Sequence, residues 1–170
     1  MQLKDYIPNV NKKYSKVFFS GISFDSSKVK KDNIFFAIKG NKYDGNHYID
    51  AAIKKGAKVI ISEKKNIIKK DEIVFLYSSN VRKLLANVAY KILGKKPKKL
   101  IAVTGTNGKS SISDFFFQIL NLNNKKVASI GTIGIRYQNK KKILPKTTLD
   151  PIQLSNILKN LKKKKLNMSF

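Results

Sequence analysis

A two-part α/β architecture follows from three features of the 170-residue sequence. Short apolar runs of strand type, Ile34 to Lys39, Ala57 to Ser62 and Ile73 to Tyr77, alternate with segments of helical period. A polar stretch, Gly94-Lys95-Lys96-Pro97-Lys98-Lys99, interrupts the pattern and marks a boundary. A fresh strand, glycine turn and helix then begin at Leu100. The expected organisation is a small α/β domain over residues 1–94, followed over 95–170 by the first part of a parallel-sheet domain of phosphate-loop type.

Taken in order, Val17 to Ser20 and Gly21 to Phe24 read as short strands, and Ile34 to Lys39 as a stronger one closed by Gly40. Lys39 to Gly45 carries two glycines, Asn and Asp, the chemistry of a turn. Ile49, Ala52 and Ile53 share a helical face, with Gly56 placed for a left-handed C-terminal cap. Val81, Leu84, Leu85, Val88, Ala89, Ile92 and Leu93 keep the i, i+3, i+4 spacing of an amphipathic helix, with Asn80 at its start and Gly94 at its end. In the second part, strands are expected at Leu100 to Val103 and Lys126 to Ile130, around a helix from about Gly108 to Leu122. Ile135 to Leu144 reads as a hairpin turning near Asn139. Asp150 caps a last helix with Pro151 at its first position, running to about Lys164, and 166–170 open another buried strand.

Composition narrows the function classes. A chain of this length buries roughly 70% of its unfolded surface without a staple. With 42% hydrophobic residues, nine Gly and four Pro, it is neither disordered nor collagen-like. The absence of cysteine excludes disulfide scaffolds, thiolate metal sites and thiol nucleophiles. No apolar run approaches the roughly 20 residues of a membrane span, and the N-terminus has no leader-type apolar region, so a soluble cytoplasmic protein is expected. The net charge of +26 suggests an anionic partner. Yet 34 of the 36 basic residues are lysine, only Arg82 and Arg136 being arginine, and the lysines lie in short scattered runs without stacking aromatics between them. Together with abundant Asn and Ile, this is what A/T-rich codons encode, and it favours a solvated surface over a nucleic-acid face. His47, the single histidine, is read as structural or surface.

The chemistry concentrates at Val103-Thr104-Gly105-Thr106-Asn107-Gly108-Lys109-Ser110, set between a strand and a helix. Glycines let successive amides turn toward one anion, and the helix N-terminus adds its dipole. Lys109 is placed to reach the β- and γ-phosphates of a nucleotide and the Ser110 hydroxyl to ligate Mg²⁺. Val103 stands where the general phosphate-loop pattern has its first glycine.

The string Thr-Gly-Thr-Asn-Gly-Lys-Ser resembles the nucleotide loop of the Mur ligases, ATP-dependent enzymes that join an amino acid to a UDP-linked peptide precursor of bacterial peptidoglycan. That loop also lacks the first glycine, and the family's alanine-adding members carry His where Asn107 stands. Other segments agree in order. Asp25-Ser26-Ser27, Val29, Asp32 to Ala37, Gly40, Asp44-Gly45, Ala51-Ala52-Ile53 and Gly56-Ala57 are similar to the family's N-terminal signature. Gly131-Thr132-Ile133-Gly134 and Thr147-Thr148-Leu149-Asp150 resemble segments of its tripeptide synthetases, which add diaminopimelate or lysine to UDP-N-acetylmuramoyl-L-alanyl-D-glutamate. Ser27 departs from the usual Arg, Leu149 from a common Pro, and the segment around Asn33 matches only loosely.

The resemblance implies a uridine-binding N-terminal domain and an ATPase domain, with ATP and Mg²⁺ as cofactors and no third, C-terminal domain within these residues. It implies that Phe24, Ser26, Asn41, Lys42, Tyr43, Thr147 and Thr148 hold the UDP-N-acetylmuramoyl-dipeptide. Gly105, Thr106, Asn107, Gly108, Lys109, Ser110 and Ser111 hold ATP, with Lys109 catalytic and Ser110 on Mg²⁺. The reaction runs through an acyl phosphate, and further family groups, a Glu, a His and a modified lysine, lie beyond the present residues, so no turnover by these 170 residues alone is expected. A monomer without nucleic-acid or membrane partners is the matching expectation. Two alternatives stand beside it: the Mur-type ligase that adds D-alanyl-D-alanine, and a non-catalytic basic module that binds nucleotide or nucleic acid.

Overall fold

The computed structural model describes residues 1–41, 43–65, 72–93, 96–138, 140–144, 149–164 and 168–169. The chain divides into two compact units, Met1–Ile92 and Leu93–Phe170.

The first unit is built on four parallel strands, β1 (Gly21–Ser23), β2 (Asn33–Ala37), β3 (Ala57–Ser62) and β4 (Val74–Tyr77), lying side by side in that order. Every residue of β2 is buried, as a parallel strand covered on both faces requires. On one face Phe35, Ala37 and Ile60 pack with Ile49 and Ala52 of helix α2 (Ile49–Lys54). The alternate residues Ile34, Phe36, Val59 and Ile61 are equally buried and point to the other face. Helix α3 (Val81–Leu93) buries Val81, Leu85, Val88 and Ala89, the stripe its spacing predicts. Asn80 caps α3 by accepting the Lys83 amide at 2.8 Å, and Glu63 Oε1 accepts the Val81 amide at 3.1 Å. The cap expected at Gly94 lies outside the described residues. Gly56 closes α2 at φ +96°, and a Cβ there would lie 2.9 Å from Lys31 Cα.

The expected strand at Val17 to Ser20 is not one. Phe18 makes only an isolated antiparallel bridge to Gln2. The segment is spent holding the N-terminus: Leu3 N–H donates to Val17 O at 3.0 Å and Phe19 N–H to Met1 O at 2.9 Å, which buries Leu3 at the head of a one-turn helix α1 (Leu3–Tyr6).

The second unit holds β5 (Lys99–Leu100), β6 (Val127–Gly131), β7 (Gly134–Tyr137), β8 (Lys140–Lys142) and β9 (Met168–Ser169) in the order β5-β9-β6-β7-β8. The first three in that order are parallel, and β7 and β8 extend them as an antiparallel ribbon. Helix α4 (Lys109–Leu122) follows β5, and α5 (Pro151–Lys163) precedes β9. Successive residues of β6 face opposite layers: Val127 packs with Phe117 of α4, Ala128 with Leu161 of α5. Asp150 caps α5 through the Gln153 amide at 2.9 Å. The strand expected over Leu100 to Val103 is paired over Lys99–Leu100 only, against Met168–Ser169 of β9. The 135–144 hairpin is present as β7 and β8; its turn residue Asn139 lies outside the described residues.

Candidate functional site

The loop expected to bind phosphate lies at the junction between the β5 segment and α4. Gly105 and Gly108 take φ of +151° and +76°, conformations an L side chain resists. The first helical bond of α4 runs from Ile112 N–H to Gly108 O at 2.9 Å, so the amides of Lys109, Ser110 and Ser111 precede the helical ladder. Lys109 bends back over the loop, donating to the carbonyls of Gly105 and, at 2.9 Å, Thr106. Its ammonium is thereby held above the same loop whose amides could bind an anion. Residues 104–112 are exposed.

Beside the loop lies a cleft of about 190 Å³. Val103, Lys109, Ser110 and Ser113 form one wall, and Ser129 to Ile133, from β6 and the turn after it, form the other. That turn is the two-residue link Thr132-Ile133 between the paired Gly131 and Gly134. Gly134 has φ +106°, and a Cβ there would collide with the Lys142 carbonyl oxygen. Ser113 and Ser129 hydroxyls meet at 3.2 Å across the cleft floor. Next to them Arg136 pairs with Asp114, and its guanidinium lies 4.5 Å from the centroid of the Phe117 ring. At the far side of the sheet Lys164 donates to the Tyr137 hydroxyl, lowering that phenol's pKa below its ordinary value.

In the first unit, two of the expected substrate segments leave the carboxyl ends of adjacent parallel strands, the usual place for ligands in open α/β sheets. After β1, Asp25 caps a 3-10 turn over Ser26–Lys28, its Oδ1 accepting from the Ser27 amide at 2.9 Å and the Ser27 hydroxyl at 2.7 Å. The Ser27 hydroxyl bond leads the interactions that hold the Asp25 carboxyl below its usual range, with Lys28 at 3.4 Å assisting. Ser26 is half-buried, its hydroxyl unbonded among the described residues, and Phe24 is partly exposed. After β2, Gly40 N–H donates to Tyr43 O at 2.9 Å, closing a tight turn that presents Asn41 and leaves Tyr43 72% exposed. Asp44 anchors the turn's exit through the Asn46 amide at 2.9 Å, and that bond is the main cause of its lowered pKa. His47 is exposed there. Lys42, Thr147 and Thr148 lie outside the described residues.

Comparison with known proteins bears on this geometry. Residues 19–95 match the family described as Mur ligase family, catalytic domain, and residues 103–169 the Mur ligase middle domain. The chain belongs to the Mur ligase family. Among its relatives, the UDP-N-acetylmuramoyl-L-alanyl-D-glutamate–2,6-diaminopimelate ligases of Rickettsia prowazekii and Rickettsia conorii are 39% and 41% identical over 157 residues, 90% of this chain and 32% of each relative. The ligase of that name from Buchnera aphidicola is 35% identical over 158 residues. A solved structure of a diaminopimelate ligase superposes with TM-score 0.81 at 27% identity, covering 99% of this chain and 35% of that one. The MurF ligase of Thermotoga maritima, solved with ADP, shares the fold at TM-score 0.54 and 24% identity. The chain spans about a third of the length of the relatives it matches.

Within this Mur ligase chain, the structure brings Lys109 and Ser110 together at one cleft, opposite the Gly131 to Gly134 turn, a segment that carried the family resemblance but no expected binding role. Ser113, Asp114, Ser129 and Arg136 were not foreseen. A signal for Arg136 existed in its rarity, since only two arginines stand among 36 basic residues. Among the described residues no group of His, Asp or Glu could hold a metal ion, and no helix is long and apolar enough to cross a membrane.

Proposed function

We propose that this chain is part of a cytoplasmic, ATP-dependent amide ligase that adds diaminopimelate to UDP-N-acetylmuramoyl-L-alanyl-D-glutamate. The observation that carries the proposal is the phosphate loop itself: two glycines at positive φ, unladdered helix amides and a lysine ammonium over them, facing a cleft. Relatives named for that reaction, 39–41% identical over nine-tenths of the chain, support the substrate class.

In this reading the acceptor of the ATP γ-phosphoryl group is the substrate's glutamyl carboxylate. Its oxygen attacks the γ-phosphorus, the bond to the β-phosphate oxygen breaks, and ADP leaves. The amine of diaminopimelate then adds to the acyl carbon, inorganic phosphate departs with the bonding pair, and the nitrogen loses a proton. The chain's residues bind and align. Amides of Gly105 to Ser110 and the Lys109 ammonium neutralise phosphate oxygens as charge shifts toward the leaving group. The Ser110 hydroxyl, second in α4 and lining the cleft beside Lys109, fits an Mg²⁺ ligand, and the ion supplies further charge neutralisation there. No side-chain nucleophile is required.

The UDP end of the substrate is assigned to Phe24, Ser26 and the Asn41 to Tyr43 turn in the first unit, and Thr147 and Thr148 to its phosphate and sugar region. The domain division follows: residues 1–94 hold uridine and residues 95–170 begin the ATPase domain. The test is turnover by the product of the complete reading frame, given ATP, Mg²⁺, the UDP-linked dipeptide and either diaminopimelate or lysine. ADP release with tripeptide formed from diaminopimelate is expected. Tripeptide formed from lysine would overturn the amino-acid assignment, and no ADP release with either would overturn the ligase reading.

A further inference from the structure

We infer that Arg136 is a positioning residue of the phosphate loop: it fixes the β6–β7 hairpin, one wall of the cleft, against the helix that carries Lys109 and Ser110. The inference rests on the reading that this cleft takes ATP.

Residues four apart on a helix lie on the same face, one turn removed. Ser113 therefore stands one turn behind Lys109, and Asp114 one turn behind Ser110. Each is tied to the hairpin, Ser113 to Ser129 at 3.2 Å and Asp114 to Arg136. Ser129 and Arg136 are themselves opposite each other in the β6–β7 register. Two neighbouring anchors thus join the first turns of α4 to a hairpin whose tip, Gly131 to Ile133, faces Lys109 and Ser110 across the cleft.

The two anchors differ in strength. The serine pair is a single neutral contact, with Ser129 only 8% exposed. The Asp114 and Arg136 side chains are 23% and 21% exposed, so their pairing is largely withdrawn from water, where loss of one partner leaves the other charge uncompensated. Asp114 also accepts from Gln118 Nε2 at 2.7 Å, and the Arg136 guanidinium covers the Phe117 ring. A planar guanidinium can lie on a ring while its edge meets a carboxylate; a lysine ammonium is a compact point charge and cannot do both. That difference gives a reason for arginine here in a chain where 34 of 36 basic residues are lysine.

The test is titration of the product of the complete reading frame with a fluorescent N-methylanthraniloyl derivative of ATP and Mg²⁺, with a melting curve taken on each variant. Arg136→Lys keeps the charge and is expected to raise Kd about tenfold while still melting cooperatively well above the titration temperature. Asp114→Asn should do the same, and the double variant should bind no more weakly than either single one, since each acts through the other. A purely structural role would lower the melting temperature and leave the Kd of the folded protein where it was; that result, or wild-type affinity in Arg136→Lys, would overturn the inference. If Arg136→Lys does not fold, Asp114→Asn, nearly identical in shape, decides by the same readout. Failure of the wild-type chain to bind the nucleotide would overturn the phosphate-loop reading and this inference with it, whereas tight wild-type binding with unaffected variants would overturn the inference alone.

Discussion

Replacing Lys109 with Met separates the site's chemistry from its architecture. Among the described residues the ammonium donates to the carbonyls of Gly105 and Thr106, both on an exposed loop. Its loss should change unfolding free energy by no more than about 0.5 kcal/mol, as for other exposed substitutions. Its effect on binding is larger. Opposite unit charges about 4 Å apart interact by about 4 kcal/mol at an effective dielectric near 20. Roughly half of that is offset by the lost hydration of the ammonium and its release from the two carbonyls, leaving about 2 kcal/mol, or about thirtyfold in Kd. Titration with the fluorescent ATP derivative gives the affinity, and urea unfolding of the same samples gives the stability. An unchanged Kd would refute the role given to Lys109. A loss of affinity matched by a loss of cooperative unfolding would refute the separation of binding from folding.

Four further outcomes are expected. Gly134→Ala places a Cβ against the Lys142 carbonyl at φ +106° and should destabilise the second unit by about 2 kcal/mol or more, read as an early unfolding step in urea. Leu85→Ala empties a fully buried position in α3 and should cost about 3 kcal/mol by the same measurement. Asp44→Ala removes the cap on the Asn46 amide and should cost about 1 kcal/mol near pH 7. Because the folded-state pKa of Asp44 is depressed, its stabilisation is present above the ordinary value of 3.8 and disappears as pH falls through the lower folded value, so wild type and variant should converge in acid. On α4, Ile119 and Leu122, the latter 80% exposed, lie outside the core, and Leu122→Lys should leave the melting temperature unchanged while raising solubility, checked by calorimetry and light scattering.

Much of the fold was legible because its signals are local. The unbroken apolar runs at β2 and β3, the seven-position stripe of α3, and the Asp150-Pro151 start of α5 each state their structure within a few residues. Val17 to Ser20 misled because its apolar residues serve a contact with the chain's own first three residues, a pairing no local pattern reveals. Ile101 to Val103 has strand composition, but the described pairing of β5 with β9 stops at Leu100. The placement of Lys109 and Ser110 at a helix start behind a glycine turn was legible because the glycine spacing and the helix start are local signals. Ser129 and Arg136 were not, since their importance comes from a hairpin register and a helix face brought together 16 and 22 residues apart.

The central claim, that residues 105–111 hold the phosphates of ATP, is tested most directly by mapping backbone amide shifts of the ¹⁵N-labelled chain as Mg·ADP is added. The account predicts the largest shifts at Gly105 to Ser111, with smaller ones at the Gly131 to Ile133 turn across the cleft. Shifts scattered over the lysine-rich surface segments, or saturable shifts confined to residues 1–92, would contradict it.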